Sequence, residues 1–293
     1  KEPKERICVK NGILDLETGR LSKHNRNEFH FSKIPVTYDE EATCDKIIDF
    51  FSGILLNPEE DIKVVQEMVG WMLYKEYKPE KVVMLFGEGR NGKGKTIEIL
   101  QRFIGEENYA NISLSELDPT KNPYSSAGLM NKLANFGGDV AEGVFKDTSR
   151  LRNLSGRDTI DAQRKYQDSI KFKNYAKLIF AANKPPTVRD NHEGFWGRWI
   201  WLDFPYTFLP EDEYYARDGD NNDLIKLRDP DIVKKVLDDD QLSGMLNWGL
   251  EGLRRLNRRA DFSDSKTTAE LMTRWDREAN SCSAFCLDCL EED

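Results

Sequence analysis

The sequence has no apolar run that approaches the ~18 residues a helix needs to cross a bilayer. Its first residues, KEPKERICVKNG, are polar and have no signal-peptide core. It also has no internal repeat of the kind that builds solenoids. We therefore expect a cytoplasmic protein without a membrane-spanning segment. The missing initiator Met and an end inside a helical pattern suggest a piece of a longer chain.

Cysteine is scarce, with five residues among 293. An odd number in a chain without a secretion signal argues against a disulfide framework. Cys282, Cys286 and Cys289 have a C-x3-C-x2-C spacing that superficially suggests zinc. No fourth ligand lies near them in the sequence, and the same spacing puts small apolar residues on one helix face. We therefore predict no zinc site there.

Positive charge is also in deficit, because the formal net charge is −9 and the pI is near 5.1. This argues against a protein that coats nucleic acid with its whole surface. The charge is uneven, however: residues 150–177 carry eight Lys/Arg against three Asp, whereas residues 209–223 carry six acids against Arg217 alone. A local basic element in an acidic body is compatible with DNA held in a narrow channel.

The most informative stretch is residues 81–104, KVVMLFGEGRNGKGKTIEILQRFI. Residues 81–86 form a short apolar run of strand length, and apolar residues then recur at helical spacing from Ile97 to Ile104. A strand therefore runs through a Gly-rich turn into a helix. In that setting backbone N–H groups close around phosphate oxygens, and a lysine reaches the β- and γ-phosphates. The pattern predicts a P-loop for a nucleoside triphosphate.

The P-loop pattern fits two registers. Residues 89–96 match G-x-x-x-x-G-K-[ST] with Lys95 as the lysine and Thr96 as the magnesium-binding hydroxyl. A start at Gly87 makes Lys93 the lysine and puts Gly94 where the hydroxyl belongs. Pattern alone prefers Lys95, and the choice stays open at this point. The predicted nucleotide-binding residues are Gly87, Gly89, Arg90, Asn91, Gly92, Lys93, Gly94, Lys95 and Thr96.

Two later strands carry polar residues at their ends. Residues 133–136 predict a short buried strand, after which Asp139 is our candidate magnesium ligand and Glu142 our candidate to polarise the attacking water. Each could equally be a solvated acid in a turn. Residues 177–182 are continuously apolar, which implies burial on both faces of a parallel sheet. Asn183 then lies at a carboxyl-terminal strand end, where open α/β sheets place their ligands.

A basic and aromatic cluster and a single arginine are further candidate functional residues. Arg164, Lys165 and Tyr166 combine phosphate contact with a stacking face for DNA, although such runs are usually a solvated surface. Arg198 is either a structural residue or a charge stabiliser for phosphoryl transfer.

The apolar spacing also divides the chain. We expect small strands and a helical module over residues 1–78, an α/β P-loop ATPase core over residues 79–208, and a helical subdomain over residues 209–293. The C-terminal subdomain is expected to be truncated.

The order of these motifs resembles the superfamily III helicase domain of the plasmid, phage and large-virus primase-helicase family, a group of AAA+ P-loop ATPases. The resemblance covers nearly the whole chain. Its motifs are NGILDL at 11–16, PVTYD at 35–39, Gln66-Glu67 and Gly70, FGEGRNGKG at 86–94, KLAN at 132–135, LSGRD at 154–158, RKY at 164–166, AKLIF at 176–180, Asn183 and Phe204-Pro205.

The resemblance implies a role for several residues. It makes Lys93 the phosphate lysine, Asp139 the acid that holds Mg²⁺, and Asn183 the polar sensor. It implies that Arg198 reaches the ATP of a neighbouring subunit. Lys165 and Tyr166 correspond to positions near the tip of a hairpin that tracks DNA. The sequence departs from the family at Gly94 and in having a lone acid at 139, which leaves Thr96 and Glu142 uncertain.

The implied mechanism is ATP hydrolysis between the subunits of a ring, for which we expect a hexamer. The ring would move along one DNA strand and unwind duplex DNA. A primase domain could precede this part in the full-length chain. Three rival functions stay open: an AAA+ ATPase that remodels protein, a nucleotide-binding scaffold with a degenerate P-loop, and a small-molecule kinase. The kinase is the weakest of these because no acceptor site is evident.

Overall fold

The computed structural model describes residues 2–138, 144–188, 193–217 and 222–280. The helices are α1 Asp45–Ile54, α2 Pro58–Leu73, α3 Lys93–Ile104, α4 Ser149–Ser155, α5 Glu193–Trp196, α6 Glu211–Tyr215, α7 Ile232–Val236, α8 Asp239–Arg259 and α9 Thr268–Ala279. The strands are β1 Arg6–Val9, β2 Gly12–Asp15, β3 Leu21–Ser22, β4 Val82–Phe86, β5 Tyr109–Ala110, β6 Ala134–Gly137, β7 Val144–Phe145, β8 Thr159–Arg164, β9 Gln167–Lys173, β10 Lys177–Ala182, β11 Thr187–Val188, β12 Trp199–Asp203, β13 Thr207–Leu209 and β14 Ile225–Leu227.

A five-stranded parallel sheet with the strand order β12-β4-β10-β6-β5 forms the centre of the fold. Every residue of β4, β6, β10 and β12 is buried. This burial explains why their sequences are apolar almost without interruption. The predicted α/β architecture with a parallel sheet is confirmed. Because Ala182 pairs with Phe86, the chain leaves β4 and β10 at the same edge of the sheet.

The N-terminal and C-terminal helices pack against each other through glycines. A side chain at Gly70 on α2 would lie 2.0 Å from the carbonyl oxygen of Gly249 on α8, and one at Gly252 would lie 2.3 Å from that of Gln66. Arg255 then donates to the Glu67 carboxylate at 2.6 Å. The part of the chain that precedes the P-loop is therefore joined directly to the part that follows the sheet.

One lysine of the basic stretch is unavailable for ligand binding. Lys177, the first residue of β10, is fully buried, and its Nζ donates to the backbone oxygens of Tyr74, Glu76 and Tyr175 at 2.7–2.8 Å. Burial lowers the pKa of Lys177 well below its ordinary value. This lysine ties β10 to the segment after α2.

Within the described residues, no helix combines the length and apolar character that crossing a membrane requires.

Candidate nucleotide site and hairpin

The Gly-rich turn lies between the end of β4 at Phe86 and the start of α3 at Lys93. Gly92 has φ +96° and occupies the N-cap position of α3. Gly87 has φ +151°, and a side chain there would lie 2.4 Å from the Phe204 carbonyl oxygen. Both positions therefore require glycine. The turn places the N–H groups of the first turn of α3 at the carboxyl edge of the sheet, which is suited to phosphate oxygens.

Lys93 points into this turn. Its Nζ donates to the Gly87 carbonyl oxygen at 2.5 Å and the Glu88 carbonyl oxygen at 2.9 Å, and to the side-chain oxygens of Asn91 at 3.2 Å and Asn183 at 2.9 Å. The lysine is 5% exposed. The structure thus brings together Lys93 and Asn183, which are 90 residues apart in the sequence.

Asn91 holds the loop in place from the other side. Its Nδ2 donates to the backbone oxygen of Phe204, just beyond the end of β12, at 3.2 Å, while its Oδ1 accepts from Lys93. Asn91 is 3% exposed. Asn91 therefore connects the loop to the residue that follows β12 and to the Lys93 side chain.

The side chains of Lys95 and Thr96 have surroundings that differ from those of Lys93. The Lys95 side chain is 43% exposed and pairs with Glu98, one turn along α3, at 2.9 Å. Thr96 is 1% exposed, and its hydroxyl has no hydrogen-bond partner among the described residues. It is not among the residues that line the cavity next to the loop. The structure therefore gives no support to Thr96 as a magnesium ligand, because its side chain is buried next to the loop and does not reach the cavity.

A cavity of about 1250 Å³ opens beside the loop. The loop and the start of α3 form one wall over residues 89–95, and Asn183 lies at its base with Ala181 and Gly138. The second wall comes from α1 and from residues 226–236, around β14 and α7. Phe208 of β13 joins this second wall to the loop, because its N–H donates to the Arg90 carbonyl oxygen at 2.8 Å. Sequence patterns gave no signal for the second wall, since it is built from residues far apart in the chain.

The two acidic candidates, Asp139 and Glu142, lie outside the described residues, as do Cys282, Cys286 and Cys289. Gly138, the last described residue before Asp139, lines the cavity. Among the described residues there is no group of three or more His, Cys, Asp or Glu side chains that could hold a metal ion.

Strands β8 and β9 form an antiparallel hairpin whose tip is basic and aromatic. Arg164 pairs with Gln167, which leaves Lys165 and Tyr166 as the connecting turn. Tyr166 has φ +61° and is 93% exposed, and the Lys165 Nζ lies 5.2 Å from its ring centroid. Buried Ile160 and its partner Phe172 fix the base of the hairpin to the core. An aromatic ring is thus held away from the body beside a cation.

Arg198 lies at the opposite edge of the sheet. It precedes β12, whose first residue, Trp199, pairs with Val82 at the start of β4, roughly 15 Å of strand away from the loop. The Arg198 guanidinium donates to the Glu80 carboxylate at 2.6 Å, and its Nε is buried without a partner among the described residues. Arg157, at the base of the hairpin, also contacts Glu80, at 3.6 Å. The structure therefore does not bring Arg198 to the cavity of its own chain.

The parallel sheet, the Gly-rich turn after β4 and a lysine at the start of α3 define an α/β fold of the P-loop type. Residues 85–198 match a family described as "Family of unknown function (DUF5906)". Residues 1–55 match a family described as "D5 N terminal like".

Two curated relatives are viral proteins. The chain is 26% identical over 234 residues to "Putative helicase 121R" of Invertebrate iridescent virus 3, which covers 72% of this chain and 24% of the relative. It is 24% identical over 253 residues to "Putative helicase 184R" of Invertebrate iridescent virus 6, which covers 79% of this chain and 25% of the relative. The chain thus spans about a quarter of the length of these relatives.

Among solved structures, the apo C-terminal region of NrS-1, residues 305–718, superposes with a TM-score of 0.51 at 15% identity. The superposition covers 88% of this chain and 61% of that one. The likeness establishes a shared fold. The D5 N terminal like match and the helicase-named relatives agree with the resemblance to primase-helicase replication proteins drawn from the sequence. The resemblance to primase-helicase replication proteins is thereby confirmed, whereas the superfamily III and AAA+ assignment stays a prediction.

Proposed function

We propose that this chain is the ATP-hydrolysing motor of a replicative DNA helicase. The observation that carries the proposal is the placement of Lys93 and Asn183, 2.9 Å apart, at the base of a cavity beside a Gly-rich turn. A lysine and an amide at the carboxyl ends of β4 and β10 suit the terminal phosphates of a nucleoside triphosphate. The helicase names of the viral relatives support DNA unwinding as the use of that hydrolysis.

In the proposed site the loop N–H groups hold the phosphates and Lys93 neutralises their charge. The Lys93 Nζ now binds the Gly87 and Glu88 carbonyl oxygens, so ATP binding requires it to exchange at least one of these for a phosphate oxygen. Asn183 is one strand away in the sheet and can contact the terminal phosphate or the attacking water.

Magnesium is part of this proposal through Asp139 alone. The described residues offer no ligand set for it, since Thr96 does not line the cavity. Glu142 remains the proposed residue that polarises water.

The hairpin is the proposed DNA contact. Tyr166 offers a flat ring for base stacking, and Lys165 and Arg164 supply positive charge for the phosphate backbone. This arrangement is compatible with an acidic protein, because the positive charge is needed only where the strand passes. We propose that hairpins from several subunits hold one strand in the centre of a ring.

A ring also gives Arg198 a role. Since it lies at the sheet edge away from the cavity of its own chain, it can act only on a nucleotide held by another subunit. We propose a hexamer of the AAA+, superfamily III type, in which Arg198 leaves Glu80 to reach the neighbouring ATP. A primase domain in the full-length protein is a further part of the proposal.

A nucleotide-binding scaffold is the second candidate. It is favoured by Gly94 at the position of the usual hydroxyl and by the burial of the Thr96 hydroxyl away from the cavity. ATP binding without hydrolysis by assembled protein would support the scaffold.

The test is the steady-state ATP hydrolysis rate with and without single-stranded DNA. We expect DNA to stimulate the wild type, Lys93→Ala to abolish turnover, and Lys165→Ala to keep the basal rate but lose stimulation. No stimulation in wild-type protein shown to be assembled would contradict the helicase proposal.

A further inference from the structure

Among the described residues that line the cavity, one cationic side chain, that of Arg228, has no hydrogen-bond or ion-pair partner. The cationic side chains that line it are Lys46, Arg90, Lys93, Lys95, Lys226, Arg228 and Lys235. Arg228, directly after β14, is exposed. Across residues 2–138, 144–188, 193–217 and 222–280, its guanidinium has neither a hydrogen bond nor an ion pair.

The other cations of the cavity are engaged. Their partners are Asp238 for Lys46, Glu213 for Arg90, loop oxygens and Asn183 for Lys93, Glu98 for Lys95, the Gly53 carbonyl oxygen for Lys226, and Asp229 for Lys235. A paired cation must give up or share its partner before it binds a phosphate. Arg228 can bind one without that cost.

The backbone holds Arg228 close to the loop. Its N–H donates to the Leu209 carbonyl oxygen at 2.7 Å, and the preceding residue in β13, Phe208, donates to the Arg90 carbonyl oxygen at 2.8 Å. The Arg228 backbone is therefore connected to the Gly-rich turn through the two adjacent residues Phe208 and Leu209 of β13 and their hydrogen bonds. Arg228 lines the cavity from the segment after β14 and not from the Gly-rich turn itself.

We propose that Arg228 binds the terminal phosphates of the nucleotide and completes the site from the second wall. This inference rests on the proposed function only in taking a nucleoside triphosphate as the ligand. The loop N–H groups cradle the α- and β-phosphates, so the terminal phosphate is the group that most needs a further cation. A guanidinium suits it because its planar fork can make two parallel hydrogen bonds to one phosphate.

The test is the equilibrium binding of fluorescently labelled ATP, ADP and AMP to the wild type, Arg228→Ala and Arg228→Lys. We expect Arg228→Ala to weaken ATP binding by roughly ten- to a hundredfold, the range for a hydrogen bond to a charged group, and to leave AMP binding within about twofold. Arg228→Lys should recover part of the loss, because it keeps the charge without the fork.

The matched control is Lys234→Ala. Lys234 lies on α7, its side chain is 84% exposed, it pairs with Asp231, and it does not line the cavity. This variant removes the same charge from the same segment and should bind ATP as the wild type does. Wild-type ATP affinity in Arg228→Ala, or an equal loss for AMP and ATP, would overturn the proposal.

Failure of the helicase proposal can be told apart from failure of this one. Wild-type protein that binds ATP in an Arg228-dependent way but does not hydrolyse it would contradict the motor and support Arg228 as a phosphate ligand. Wild-type protein that binds no nucleotide would contradict both.

Discussion

Lys93 and Lys95 are two residues apart in the chain, and exchanging each for alanine separates their roles. Lys93 is 5% exposed and faces oxygens of the loop and Asn183, whereas the Lys95 side chain is 43% exposed, lines the cavity and pairs with Glu98 on α3. Of the two, only Lys93 contacts the loop oxygens and Asn183, where we propose that the terminal phosphates bind.

The two changes should differ greatly in size. A hydrogen bond from a charged group contributes about 1.5–3 kcal/mol, so Lys93→Ala should weaken ATP binding roughly 10- to 150-fold. A surface ion pair one helical turn apart contributes about 0.3–0.5 kcal/mol, so Lys95→Ala should change affinity by less than about threefold.

The assay is a calorimetric titration of ATP into the wild type and both variants, with circular dichroism to check that each is folded. Lys95→Ala serves as the control for loss of one positive charge from the same helix. Loss of binding in Lys95→Ala with normal binding in Lys93→Ala would refute the reasoning and restore the register that begins at Gly89.

Three further variants probe the packing of the helices and the sheet edge that carries Arg198. Gly70→Ala should lower the free energy of unfolding by about 1–3 kcal/mol, because its side chain would meet the Gly249 backbone at 2.0 Å. A side chain at Gly53 would have no atom within 4 Å, so Gly53→Ala should keep or raise the free energy of unfolding. Denaturant titration of both variants measures this, and equal stability of the two would contradict the close packing of α2 against α8. Arg198→Ala should abolish ATP turnover while leaving ATP binding within about twofold, as measured by titration and steady-state rate, since it lies away from the cavity. Retained turnover would remove Arg198 from the mechanism.

The sheet and its loop were predictable because their signals are local. Each central strand is a continuous apolar run, and the turn after β4 carries its glycines where positive φ is needed. Asn183 could be placed at the correct edge for the same reason, since parallel strands all end on one side of a sheet.

The choice between Lys93 and Lys95 could not be made from the pattern, because both fit a spacing rule. The structure places the two lysines differently: Lys93 is the first residue of α3 and contacts the loop and Asn183, whereas Lys95 pairs with Glu98. Thr96 matches the letter of the motif, but its side chain is buried and does not line the cavity.

Long-range contacts were the main omission. The second wall of the cavity, with Arg228, depends on β13 lying against Arg90, more than 100 residues earlier in the chain. The Glu80–Arg198 pair joins two loops in the same way. One signal was available in the sequence: Gly70 on α2 and Gly249 and Gly252 on α8 mark helix faces that pack closely, and glycine within a helix is otherwise costly.

The most direct measurement of hydrolysis between subunits is the ATPase rate of a one-to-one mixture of Lys93→Ala and Arg198→Ala, each inactive alone. In a ring with head-to-tail interfaces, random mixing pairs an intact Lys93 with an intact Arg198 of its neighbour at about a quarter of the sites. We therefore predict recovery of roughly a quarter of the wild-type rate after subunit exchange. A mixture that exchanges subunits and stays inactive would contradict the account.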